Sequence, residues 1–314
     1  MRFSLLFVDN FFALLFFMIF YGFFSTMYGI SAFVCFLDHA RSHVIGESAG
    51  LFTSIQYAGW FFGTFLGGVL LFVFDAGVIL KLLVLILIFL SALAIFFFPG
   101  KAEFNFKEVI LAEHILAKDG FVVGELKSIS VLGKPLISLL LFSFALGFWE
   151  YTIWTFEPIY ANSLGSGFVL GAVILCLTTL PGMVSGFFAG KLVDFFGEKK
   201  MLVLGAVLVV LGQTIFLLKQ NLLLLGISLV ITSAGAIFIL IPLSCYQKKY
   251  VSKKLRGEVS GTADACYSIG GILGPVVIGA SLTLVDLSQL FYFTSFIFLI
   301  AICSLVLMKD LKFS

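Results

Sequence analysis

The chain is 314 residues long, 61% of them hydrophobic and only 11% charged, with a mean hydropathy of +1.18. No soluble domain carries so little charge on so much apolar side chain, so the composition excludes soluble enzymes and specifies an all-α polytopic membrane protein that has the lipid bilayer as its solvent and no nucleic-acid partner. The forty phenylalanines fit a lipid-facing composition, because hydrocarbon accepts Phe, Leu and Ile almost interchangeably. Nine apolar stretches are long enough to cross a bilayer, which takes roughly 20 residues. They run over 11–36, 48–74, 78–98, 136–157, 166–189, 201–218, 222–246, 258–283 and 288–308. The longest polar interval, 99–135, separates three predicted helices from six. Residues 1–10 lack the basic region and small-residue cleavage site of a signal peptide, so none is expected. The cysteines at 35, 176, 245, 266 and 303 show no metal-ligand spacing, and neither a disulfide nor a cofactor is expected.

Orientation follows from the basic residues. Arg41, the five lysines between 101 and 134, Lys191, Lys199, Lys200, the cluster Lys248, Lys249, Lys253, Lys254 and Arg256, and Lys309 and Lys312 fall on one side, against Arg2, Lys81 and Lys219 on the other. Positive loops stay inside, which predicts that 36–47, 99–135, 190–200, 247–257 and the C-terminus are cytoplasmic. The cell membrane is the expected location.

One charged stretch stands between two apolar runs: Gly190-Lys-Leu-Val-Asp-Phe-Phe-Gly-Glu-Lys-Lys200. Its glycines are expected to turn the backbone, its aspartate to face the positive end of a neighbouring helix, and its lysines to stay in the headgroup layer. It resembles the signature loop of the major facilitator superfamily, Gly-x-Leu-x-Asp-x-x-Gly with basic residues after it, matched by Gly190, Leu192, Asp194, Gly197, Lys199 and Lys200. The resemblance implies two six-helix halves, each of inverted three-helix repeats, with a solute bound near the midplane between them. It also implies a gate, in which Asp194 meets the cytoplasmic helix start Gly46, Glu47 and Ser48.

A shift of 211 residues lays Asn10 on Asn221, Gly46 and Glu47 on Gly257 and Glu258, Gly50 on Gly261, Gly59 on Gly270, Gly63 on Gly274 and Gly68 on Gly279. The first three predicted helices therefore match the last three. Against a twelve-helix facilitator the nine predicted helices are helices four to twelve: residues 1–98 read as an incomplete N-terminal half, 99–135 as a cytoplasmic linker and 136–314 as a complete C-terminal half. A chain truncated at its start, or a start codon placed too far downstream, is the expected explanation.

Gly50, Gly59, Gly63, Gly67 and Gly68 resemble the helix-five pattern of proton-coupled exporters in that family. Thr64 stands where the pattern has proline, while the repeat-related stretch with Gly270 keeps it as Gly274-Pro275. Close helix packing explains the same glycines without any transport role. The arginine that exporters carry four residues before a glycine in helix four is Met18 here, before Gly22. A facilitator or an acid-driven importer therefore stays open beside proton-coupled efflux.

Charged groups inside spans are costly and mark function. Glu150 shares a helical face with Ser143, Gly147 and Trp154, and is the first candidate for lining a cavity or coupling to protons, with Asp264 next. Glu157 is expected at the outer interface. Tyr21 and Ser25 form one mild polar stripe, and Gln56, near Trp60, belongs to another. The expected function is secondary transport of a small solute by alternating access, with proton-coupled efflux as one form of it. The alternative is a non-transporting membrane protein, such as a sensor or a degenerate remnant. Oligomeric state and substrate are not written in the sequence.

Overall fold

The computed structural model describes residues 11–39, 45–71, 134–218, 221–251, 255–282 and 290–305, with isolated positions between 73 and 93. Among them there are only helices and turns. The helices are α1 (Phe11–His39), α2 (Ile45–Leu70), α3 (Lys134–Ser163), α4 (Phe168–Leu175), α5 (Leu180–Phe196), α6 (Glu198–Leu218), α7 (Leu222–Tyr250), α8 (Arg256–Ser281) and α9 (Leu290–Ser304). A 3-10 turn, η1 (Cys176–Thr178), lies between α4 and α5. Pro135–Ser163, Val173–Phe196, Leu222–Tyr250 and Arg256–Ser281 are long and apolar enough to cross a membrane. By contact, residues 29–68 and 128–314 form one unit, and 1–28 with 69–127 a second. The first unit holds nearly all of α2 and the whole of α3 to α9.

Small residues set the helix spacing within that first unit. Gly147 of α3 faces the backbone carbonyl of Tyr267 on α8. Gly270 and Gly274 of α8 face the backbone of Phe144 and Phe148 in return. On the α6–α7 pair, a Cβ added at Gly205 would lie 2.7 Å from the Gly235 carbonyl, and one at Gly235 would lie 2.6 Å from the Gly205 carbonyl. Without water between helices to drive association, such backbone approaches supply the dispersion contacts that hold membrane helices together. Larger side chains fill the remaining space, including Leu139, Phe142, Leu202, Leu225, Leu229 and Phe298. The opposite face of α8 presents Ile269, Ile272, Leu273, Val276 and Val277 outward, as a lipid-facing surface should.

Two features depart from the sequence reading. The stretch expected as one helix over 166–189 is broken at η1, because Pro181 sits at the first turn of α5. There its missing N–H costs nothing, whereas a continuous helix would drive its ring against the carbonyl four residues back. The stretch expected as a turn over 190–200 is almost wholly helical. Gly190 lies inside α5, and Gly197 alone leaves the helix, at φ 84° and ψ 157°, where a glycine is the natural choice.

The helix limits carry the 211-residue offset. Phe11–His39 corresponds to Leu222–Tyr250, and Ile45–Leu70 to Arg256–Ser281, since 11 and 39 become 222 and 250, and 45 and 70 become 256 and 281.

Candidate functional site

Glu150 lies 16 residues beyond the start of α3, about 24 Å along a helix about 45 Å long, and so close to its middle. It opens onto a small cleft lined by Tyr57, Trp149, Glu150, Ile153, Trp154, Thr178, Thr179 and Ser233. Three aromatic walls thus surround one carboxyl. Glu150 Oε2 accepts a 2.6 Å hydrogen bond from the Tyr267 hydroxyl, and Tyr267 in turn meets the ring of Tyr151 edge-on, with centroids 5.7 Å apart. Tyr57 arrives from α2, where it touches Trp60 at 5.0 Å between centroids. Opposite it, Gly182 leaves room for the Tyr57 ring, since a Cβ there would collide with that ring. Thr178 and Thr179 come from the break between α4 and α5, held by the hydroxyl of Ser233 donating to the Thr178 carbonyl. A carboxyl set beside electron-rich ring faces is an arrangement chemically able to hold a positively charged group. Among the described residues no three of His, Cys, Asp and Glu gather closely enough to hold a metal ion.

A second constellation lies where α2 begins. Asp194 Oδ1 accepts from the Gly46 N–H at 2.9 Å, and Oδ2 accepts from the Glu47 N–H at 3.0 Å. These are among the first N–H groups of α2, which have no partner within their own helix and carry partial positive charge. The approach is possible because glycines line both helices. Gly46 and Gly190 face each other's backbone carbonyls, as Gly50 faces that of Gly186, and Ser54 Oγ accepts from the Phe187 N–H at 3.1 Å. Ala49, Tyr57, Ala189, Val193, Met201, Ile237, Ile241 and Cys245 pack beneath this seam. Leu192, Lys199 and Lys200 are exposed, and Lys191 lies over the Phe187 ring at 4.4 Å. Ser48 is half-buried.

The other sequence candidates are placed separately. Trp154 lines the pocket, whereas Gln56 and Ser25 are exposed and Asp264 is half-buried on α8. The side chain of Tyr21 falls outside the described residues. No described atom lies within 4 Å of a Cβ added at Gly59, Gly63 or Gly67, whereas one at Gly68 would lie 3.2 Å from the Val173 side chain. No described atom lies within 4 Å of such a Cβ at Gly257 or Gly261 either, so among the described residues the start of α8 has no counterpart of the α2 seam. Pro275 lies within α8. Glu157, expected at the interface, is instead 3% exposed. Sequence reasoning missed Tyr57, Thr178, Thr179, Ser233 and Tyr267. For Tyr267 a signal existed, since the 211-residue offset pairs it with Gln56, already singled out as polar.

Residues 137–312 match the family description Major Facilitator Superfamily, which covers more than half of the chain. The chain is 30% identical over 146 residues to Multidrug resistance protein 2 of Bacillus subtilis (strain 168), an alignment covering 46% of this chain and 36% of that protein. It is 27% identical over 154 residues to Multidrug resistance protein 1 of the same organism, covering 49% and 39%. To the Multi-drug resistance efflux pump PmrA homolog of Lactococcus lactis subsp. lactis (strain IL1403) it is 22% identical over 260 residues, covering 82% and 62%. In each case the alignment spans less than two thirds of the relative's length.

Proposed function

Because the chain belongs to the Major Facilitator Superfamily, we propose that it carries a small, partly apolar cationic solute across the cell membrane by alternating access, in the direction of efflux. The observation that carries this reading is the pocket: a carboxyl at mid-helix depth, walled by Tyr57, Trp149 and Trp154. A negative charge inside a spanning helix is costly unless it serves a solute or ion path. Ring faces add attraction for a desolvated cation, and an aromatic, largely apolar wall suits a lipophilic one. The names of the relatives, which speak of multidrug resistance and efflux, agree with that solute class.

In this reading residues 1–98 are the N-terminal half present here, 99–135 the cytoplasmic linker and 136–314 the C-terminal half, with the C-terminus in the cytoplasm. Asp194 and the first N–H groups of α2 form the cytoplasmic gate, closed in this conformation.

The test is transport by the full chain in proteoliposomes loaded with tetraphenylphosphonium. Wild type should release the cation faster than protein-free vesicles, and Glu150→Gln should bind it less tightly and release it more slowly. A chain that binds the cation and never moves it would instead be a non-transporting binding protein. Equal affinity in wild type and Glu150→Gln would remove the pocket from the account.

A further inference from the structure

Glu157 follows Glu150 by seven residues on α3, so the two carboxyls share a helix face about 10 Å apart. Glu157 is 3% exposed, and among the described residues neither of its oxygens has a hydrogen-bond partner. Buried polar atoms nearly always have one, so a carboxyl with neither oxygen satisfied calls for a functional explanation. Among the described residues, the groups around it offer no balancing charge. Its own helix brings Glu150 and Tyr160. The 3-10 turn η1 brings Cys176, within electrostatic reach. Of the titratable groups on α8, Tyr267 meets α3 at Gly147 and is engaged with Glu150, and Asp264 comes one turn before it, so both lie at levels of α3 before Glu157. Helix α4, the part of α7 before Lys248, and α9 contain no charged residue. A bare carboxylate in this enclosure would lack both water and a donor, so the form that fits is the neutral acid.

The same short turn touches both places. Cys176 of η1 lies within electrostatic reach of Glu157, while Thr178 of η1 and the adjoining Thr179 line the cleft beside Glu150. A 3-10 segment within an otherwise α-helical span is a usual site for bending, and this one is tied to α7 through the Ser233 hydroxyl and the Thr178 carbonyl.

We propose that Glu157 is the proton-binding site of this protein, distinct from the solute-facing Glu150, and that η1 couples the two. The inference rests on the proposed transport for its coupling arm, but not for its proton site. Solute entering the pocket pushes on Thr178 and Thr179, and the turn that carries them lets water reach Glu157. The O–H bond of the acid then breaks, its proton passes to that water as hydronium, and the carboxylate keeps the bonding pair. When the turn closes again from the other side of the membrane, the carboxylate takes a proton from hydronium there and is restored to the neutral acid. No other reactant is needed.

Infrared difference spectroscopy on the full chain in lipid vesicles tests the site without requiring transport. Wild type at neutral pH should show a carbonyl stretch of a protonated carboxylic acid that is lost in Glu157→Gln, kept in Glu150→Gln and restored, shifted, in Glu157→Asp. Adding tetraphenylphosphonium should perturb that band. If the band is the same in wild type and Glu157→Gln, the site is refuted; if the cation leaves it unchanged, the coupling through η1 is refuted. In proteoliposomes holding a pH-sensitive dye, Glu157→Gln should exchange tetraphenylphosphonium for tetraphenylphosphonium at near wild-type rate and lose cation-driven proton movement. Proton movement per cation equal to wild type would overturn the proposal. A wild type that moves no cation but keeps the band would count against the transport reading alone.

Discussion

Asp194→Asn isolates the charge at the proposed gate, since it keeps the size of the side chain and one acceptor oxygen. Asp194 now receives two backbone N–H groups, at 2.9 and 3.0 Å. A hydrogen bond to a charged acceptor contributes about 1.5–3 kcal/mol, against about 0.5–1.5 for a neutral one. Asparagine can satisfy only one of the two N–H groups with its carbonyl and turns its own NH₂ towards the other. Asp194 is exposed, so solvent screening favours the lower ends of these ranges, and loss of the charge at the start of α2 removes about 0.3–1 kcal/mol more. These terms sum to about 3 kcal/mol before screening, and solvent screening of the exposed pair reduces the net weakening to about 1–2 kcal/mol, a factor of about 5–30 in a two-state equilibrium. Ala49, 2% exposed beneath the seam, reports it. In a background cleared of native cysteines, Ala49→Cys should react with a membrane-impermeant maleimide from the cytoplasmic side about 5–30 times faster when Asp194→Asn is added. An unchanged rate would refute the reasoning that the carboxylate holds the two helices together.

Two further variants probe the packing and the pocket. Gly50→Ala should lower the melting temperature of the solubilised protein, at a cost of about 1–3 kcal/mol, because its Cβ meets backbone atoms of Gly186 and Phe187 that no rotamer change can clear. Gly59→Ala, with no described atom within 4 Å, should leave it unchanged or slightly raised, and equal effects would show that the seam is not close-packed. Tyr267→Phe removes the donor on Glu150 and should change tetraphenylphosphonium affinity severalfold while leaving a neutral solute of similar size unaffected. A parallel change for both solutes, measured by equilibrium binding, would mean that Tyr267 acts only on packing.

The helical class was legible because it rests on composition and on runs of apolar residues, and the family because its motif is local. The start of α2 was named as the partner of Asp194 from the same family resemblance together with the physics of helix ends, and Gly46 and Glu47 are where the N–H groups lie. The break at η1 was not legible. Residues 166–189 read as one apolar run, and Pro181 permits a helix to begin as readily as it forbids one to continue. Gly190 was misread for a related reason, since a glycine that turns the chain and a glycine that admits another backbone look the same in sequence. The depth of Glu157 could be estimated from its place in the run. Its burial could not, because burial depends on segments distant in sequence that pack against α3, such as α4, whose Gly171 meets Pro158. The bond between Tyr267 and Glu150 spans 117 positions, and no local pattern announces it.

The seam between α2 and α5 is backbone meeting backbone at Gly46, Gly50, Gly186 and Gly190. Such a surface has no rotamers to rearrange, so it behaves mechanically as a stop. It fixes the shortest separation the two helices can reach, and leaves to Asp194 only how often they reach it. Position and population are thereby set by different atoms. In the proposed gate, a change in the carboxylate would retune how long the two helices stay together without moving the place where they meet, whereas an added methyl group in the seam would move the stop itself.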